Sequence, residues 1–205
     1  MTSDAAFPTN DAMTRPLLEP LSDDHERPDE WSAPLGFVIG GMATYADQSK
    51  RDGHLAEQYF AAAEALVDAI VDQHVADYQV ANAALFLYRH CLELLLKAGL
   101  PPQVRPKKDI HHLGNLAKSY AHHQQLAGYT LPGWVIRRCE ELASIDPSSE
   151  AFRYGEYGDR KGKDGAPIVD EIHVDLIHLK AAMKALNAAL VDQNWLIRMA
   201  RGERP

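Results

Sequence analysis

Cysteine is scarce in this chain of 205 residues, and the two that occur are not arranged for chemistry. Cys91 and Cys139 both sit inside helical patterns with no CxxC spacing, which gives no zinc or redox signal and reads as two buried thiols in a reducing cytoplasm. Long apolar runs are also missing. None reaches the roughly 18–20 residues needed to span a bilayer; even Ala81 to Leu100 is interrupted by Arg89, His90, Glu93 and Lys97. No membrane partner is expected. No basic patch followed by an apolar core opens the chain, so no signal peptide is expected either. GxSxG, HExxH, GxGxxG and GxxxxGK[ST] are absent, which leaves hydrolase-triad, zincin, dinucleotide and phosphate-loop readings without support. Strand-type runs are few and no internal repeat is visible.

The charge is unevenly spread. Residues 1–35 hold eight acids against Arg15 and Arg27, a net of −6 out of −8, which leaves the remainder near neutral at −2. That remainder argues against a broad, highly basic nucleic-acid surface, while leaving room for local basic clusters. The acidic segment also carries Pro8, Pro16, Pro20 and Pro28, which rule out a continuous helix. Residues 1–35 are therefore expected to lack regular structure, and residues 36–205 to form one helical domain. Trp31, Leu35 and Phe37 are the first candidates to anchor on its core.

Abundant Leu and Ala favour helix. From Met42 to Asp77, apolar residues recur at spacings of three and four, with a break expected at the turn dipeptide Asp52-Gly53. The run from Ala81 ends at Gly99 before Pro101-Pro102. Asp109 is a good N-cap for a helix from Ile110 to about Leu126. Another starts near Pro132 and runs to Leu142 or Ala143. Asp146-Pro147-Ser148-Ser149-Glu150 resembles a capped helical turn. Phe152-Arg153-Tyr154 and Pro167 to Val174 read as two short strands around a Gly-rich, charged link. The last helix runs from an Asp175 cap to about Arg201, with Leu176, Leu179, Met183, Leu186, Leu190 and Trp195 inward. The fold class is mainly α: an up-and-down bundle of four to five helices, with a small β-hairpin inserted before the last.

The run from Ala81 to Leu100 organises the rest. At 100° per residue, Arg89, His90, Glu93 and Lys97 share one arc of about 100°, opposite Leu87, Cys91, Leu94 and Leu95. Burying an unpaired charge is costly, so this stripe must face water, a partner or other polar groups.

Three segments then occur in order: FLYRHCLELLLKAGL at 86–100, DIHHLGNL at 109–116 and IDPSSEAFRY at 145–154. Together they resemble a HEPN-like family of small bacterial helical proteins, over roughly residues 57–190. The resemblance implies a helical bundle that often dimerises. Many members are metal-independent ribonucleases of toxin–antitoxin and anti-phage systems; others are non-catalytic binding or scaffolding domains. It therefore implies RNA, a second copy of the chain, and an antitoxin or defence-system protein as partners. Catalytic members carry an Arg, four to six residues, then a His. Arg105 to His111 has that spacing, with Pro106 inside it. The alternative is that Arg89-His90 and Arg153 take those roles.

From chemistry alone, metal-free RNA cleavage needs a base for the 2′-hydroxyl, a proton donor for the leaving oxygen and a cation on the phosphate. His90 and His111 suit the first two, Arg89 or Arg153 the third, and Glu93 would orient Arg89 one turn away. Lys97, Arg105, Lys107, Lys108, Tyr154, Arg160 and Lys161 are candidate substrate contacts. No cofactor is expected. No metal site is expected either, because His111 and His122, like His112 and His123, lie about 16 Å apart along a helix. The competing reading is structural: Arg89, Glu93 and Lys97 paired along one face of a non-catalytic dimerisation or adaptor module.

Overall fold

In the computed structural model the described residues are 48–146, 149–154, 173–200 and 202. The acidic segment 1–35, the Gly-rich link and most of the second expected strand lie outside them. The described residues are all helical or irregular: α1 (Gln48–Val71), α2 (Asp77–Gly99), a 3-10 turn (Pro102–Val104), α3 (Leu113–Leu126), α4 (Gly133–Ile145), the single turn α5 (Ala151–Tyr154) and α6 (Leu176–Ala200). The helices pack in antiparallel contacts around α2, which touches α1, α3, α5 and α6, while α3 packs on α4.

The central position of α2 follows from its composition. Tyr88, Cys91, Leu92 and Leu96 are fully buried and join Ala63 and Val67 of α1, Leu116 and Tyr120 of α3, Cys139 of α4 and Leu186 and Leu190 of α6 in one core. Burial pushes the thiols of Cys91 and Cys139 up to about 12, so both are inert fillers. The Tyr88 hydroxyl is not left orphaned: it donates to Glu64 of α1. Glu64 also meets Lys184 of α6 at 3.1 Å.

Several boundaries differ from expectation, each for a tertiary reason. Helix α1 runs straight through Asp52-Gly53. Asp52 is buried and paired with Arg105 at 3.0 Å, so its carboxylate is committed to a long-range partner instead of a local turn. Helix α3 begins at Leu113, not Ile110. Asp109 takes a φ of 52° and its carbonyl accepts from the His112 N–H at 2.8 Å, which closes a turn. His112 is the N-cap instead, its Nδ1 accepting from the Asn115 N–H at 3.2 Å.

Phe152-Arg153-Tyr154 is not a strand. Asp146 Oδ1 accepts from the Glu150 and Ala151 N–H groups at 2.8 and 3.1 Å, and this seeds a helical turn. No strand occurs among the described residues, and His173 and Val174 belong to none. Asp175 does cap α6, accepting from the Ile177 and His178 N–H groups, both at 3.0 Å. Leu176 and Leu179 pack on the core and Met183, Leu186 and Leu190 are in it, but Trp195 points outward and is 53% exposed.

Candidate functional site

The polar stripe of α2 is turned into the protein. Arg89 and Glu93, one helical turn apart, are both fully buried and meet at 2.8 Å. The rest of the Arg89 fork is used on other elements. Its Nε donates to the Asp146 carbonyl at 2.9 Å and lies 3.4 Å from the Asp146 carboxylate. Its Nη2 donates to the His111 carbonyl at 2.5 Å. One guanidinium thus ties α2 to the loop before α3 and to the segment leading into α5. Arginine suits this because its donors sit in a fixed planar fork.

Glu93 is the second hub. It accepts from Arg89 on one oxygen, and from Lys97 at 2.7 Å and His111 Nδ1 at 2.8 Å on the other. Burial raises its pKa, but the hydrogen bonds from Lys97 and Arg89 outweigh it and hold the carboxyl below its ordinary value. Glu93 therefore stays ionised. A carboxylate can only accept, so His111 Nδ1 carries the proton. The His111 side chain is 58% exposed while Glu93 beneath it is sealed. The result is an imidazole on the surface, oriented by a buried carboxylate.

His90 lies half-buried nearby, edge-on to Tyr59 with centroids 4.5 Å apart and stacked on Phe86 at 5.7 Å. Burial lowers its pKa, against an opposing effect of Glu93, and Arg89, Lys97 and His111 are near enough to add to the lowering. Arg153 is exposed and sits over the other aromatic of the group, 5.8 Å from the Phe86 centroid. It meets the site by way of Phe86, which stacks on His90.

The remaining expected contacts divide. Arg105 is spent structurally, on Asp52 and on the carbonyls of Leu100 (3.1 Å) and Lys97 (2.5 Å). It staples the loop after α2 to the N-terminal turn of α1. Lys107 and Lys108 are exposed on that loop. Arg160 and Lys161 lie outside the described residues, as does the side chain of Tyr154. Sequence reasoning missed Asp146 and Asp52 as ion-pair partners; Asp146 was legible only as a helix-turn cap. A cavity of about 180 Å³ between α2, α4 and α6, lined by Leu85, Leu142, Met183 and Leu186 among others, contains none of the site residues. Among the described residues no cluster of three or more His, Cys, Asp or Glu is placed to hold a metal ion.

No protein-family model matches the chain, and no curated protein or solved structure does. The geometry has to speak for the site.

Its electrostatics set a pH dependence. Glu93, held low in the folded state, contributes stability that is present above the unfolded carboxylate value of about 4.3 and is lost as pH falls through its folded value. His90, also held low, favours the folded state fully above the unfolded imidazole value of about 6.5, and that contribution falls away below it. Both signs agree: acid destabilises. The expected melting temperature declines in two stages, the first below about pH 6.5 and the second below about pH 4.3, and His90→Gln removes the upper stage. Thermal melts followed by circular dichroism across that range test this; a midpoint that rises on acidification contradicts it.

Proposed function

We propose that the chain is a HEPN-like helical protein that engages RNA at the surface around His111, and that His111 and His90 are its acid–base pair for metal-independent cleavage. The observation that carries this reading is the exposed His111 imidazole hydrogen-bonded to the buried Glu93 carboxylate. Such a pair fixes the ring's tautomer and leaves its other nitrogen for proton transfer. His90, with its lowered pKa, is neutral at pH 7 and suits the base that takes the 2′-hydroxyl proton. The 2′-oxygen then bonds to phosphorus as the bond from phosphorus to the 5′-oxygen breaks. His111, acting in its doubly protonated form, donates its Nε2 proton to that leaving oxygen and keeps its Nδ1 proton on Glu93. Arg89 is sealed and cannot reach a phosphate, so that role passes to the exposed Arg153, with Lys107 and Lys108 positioning the strand. The resemblance of its three segments to HEPN-like proteins supports a role in bacterial stress, toxin–antitoxin or anti-phage defence, with an antitoxin or defence-system protein as partner.

A second reading is favoured by Arg89 itself. A fully buried guanidinium bonded on all sides is what a non-catalytic adaptor would use to join α2, α3 and α5. One experiment separates the two: the purified protein incubated with transfer and messenger RNA in EDTA. Cleavage is expected, with a loss of about 100-fold or more for His111→Ala and for His90→Ala. Intact RNA with the wild type, or equal cutting by His111→Ala, overturns the ribonuclease reading and leaves the adaptor.

A further inference from the structure

The cavity between α2, α4 and α6 is apolar within and polar at its mouth. Leu85 of α2, Leu142 and Ile145 of α4, and Met183 and Leu186 of α6 form an aliphatic wall. Arg138, Glu141, His173, Asp175 and His178 line the same space. Met183 and Leu186 are buried, whereas His173, Asp175 and His178 are exposed, so the cavity opens to solvent at its polar end. Protein interiors are close-packed and hold few voids larger than a water molecule. A volume of about 180 Å³ exceeds the roughly 150 Å³ of an engineered cavity, lined by Leu, Ile and Phe, that binds benzene. Water is poorly held against such a wall, because it needs about two to four polar partners.

The charges at the mouth are already committed. Arg138 Nη1 donates to Glu141 at 2.6 Å. Asp175 accepts from the Ile177 and His178 N–H groups at the start of α6. A charged ligand would give up its hydration against charges that already have partners, which is costly. The exposed His173 and His178 imidazoles can each donate or accept, which suits one neutral hydroxyl. Met183 adds a polarizable sulfur to the wall, which favours an aromatic ring over an aliphatic one.

We infer that this cavity is a binding site for one small, uncharged aromatic molecule of about the size of phenol. Its ring packs between Leu85, Leu142 and Met183, and its hydroxyl turns to the mouth where the two histidines stand. The walls connect to the Arg89 hub. The Leu142 carbonyl accepts from the Asp146 N–H at 3.0 Å, and Ile145 immediately precedes Asp146. Leu85 lies one helical turn before Arg89 on α2. A ring held there braces the end of α4 from which Asp146 reaches Arg89. The site stands independently of any reaction at His111, and neither His90 nor His111 lines it.

The test uses the full chain, with phenol itself as the probe. Calorimetric titration is expected to show saturable binding with a dissociation constant of about 0.1–1 mM, a range open to a ligand of so few atoms. Benzoate, the same ring carrying a charge, is expected to bind more weakly by about tenfold or more. In proton–nitrogen NMR spectra phenol is expected to move the Ile145 and Asp146 amides, which locates the site without any substitution. Ala182→Leu puts a larger side chain into the cavity from a half-buried position of α6, and is expected to weaken phenol binding by about tenfold or more. A wild type that does not bind phenol saturably overturns the site, including the case in which another part of the chain fills it. Benzoate bound as tightly as phenol overturns the uncharged class of ligand. Unchanged binding by Ala182→Leu, or amide shifts that miss Ile145 and Asp146, overturns the location.

Discussion

Replacing Arg89 with alanine is expected to destabilise the fold by about 3–5 kcal/mol, the usual loss when one partner of a buried ion pair is removed. For a domain whose total stability is of the order of 5–15 kcal/mol, that brings the chain close to unfolding. The reason lies in what Arg89 leaves behind. Glu93 would keep Lys97 and His111, but the Asp146 carboxylate is fully buried and, among the described residues, its Oδ2 has no hydrogen-bond partner beyond its proximity to Arg89. The carbonyls of Asp146 and His111 would each lose a donor. Arg89→Met, which keeps most of the volume, is expected to cost nearly as much, because the loss is electrostatic more than steric. Urea unfolding gives the answer: a midpoint shift of that size with an unchanged slope is expected. A shift under about 1 kcal/mol, the worth of an exposed pair, would mean that Arg89 is not enclosed.

Gly99→Ala is the second large effect. Gly99 ends α2 where Tyr120 of α3 and Asn194 of α6 converge, and a Cβ there would overlap both the Asn194 side chain and the Tyr120 ring. Asn194 cannot simply move aside. It accepts from the Tyr120 hydroxyl at 2.7 Å and donates to the Leu95 carbonyl at 2.9 Å. Over-packing typically costs about 1–3 kcal/mol, and each buried hydrogen bond disturbed adds about 1 kcal/mol, so a loss of roughly 2–4 kcal/mol is expected. Gly53→Ala makes the contrast. Nothing lies within 4 Å of a Cβ there and the residue is inside α1, so the same substitution is expected to stabilise by about 0.5–1 kcal/mol. Equal signs for the two variants in thermal melts would contradict this reading of the α2–α3–α6 junction.

How much of this was legible in the sequence depends on whether a residue's partner is local. The helices were readable from spacing, and the Asp175 cap held because its partners are two and three residues away. The Arg89–Glu93 pair was visible for the same reason, being one helical turn apart. What sequence spacing could not supply was the direction in which the stripe faces. That is decided by Asp146, 57 residues further along, and by the His111 carbonyl, neither of which leaves a periodic trace. The same distance problem misplaced the turn at Asp52-Gly53, where Arg105 competes for the carboxylate, and the strand at Phe152–Tyr154, where Asp146 organises a helical turn. Trp195 was assigned inward because α6 is apolar on both sides; a helical period alone cannot rank two apolar faces.

These long-range contacts also reassign chemistry. The sequence offers Arg89 or Arg153 as the phosphate ligand, and the fold uses Arg89 to hold the base on which Glu93 presents His111. Arg105, with the expected spacing to His111, is likewise committed to structure, through Asp52. On the proposed reading the ligand surface is made of His111, His90, Arg153 and the exposed Lys107 and Lys108.

The most direct measurement is solvent exchange of the Arg89 Nε proton, followed by proton–nitrogen NMR at neutral pH. A proton donated to the Asp146 carbonyl from a fully buried guanidinium is expected to exchange slowly, far behind that of the exposed Arg51. Exchange as fast as at Arg51 would show Arg89 open to water, and the support beneath His111 would not exist as described.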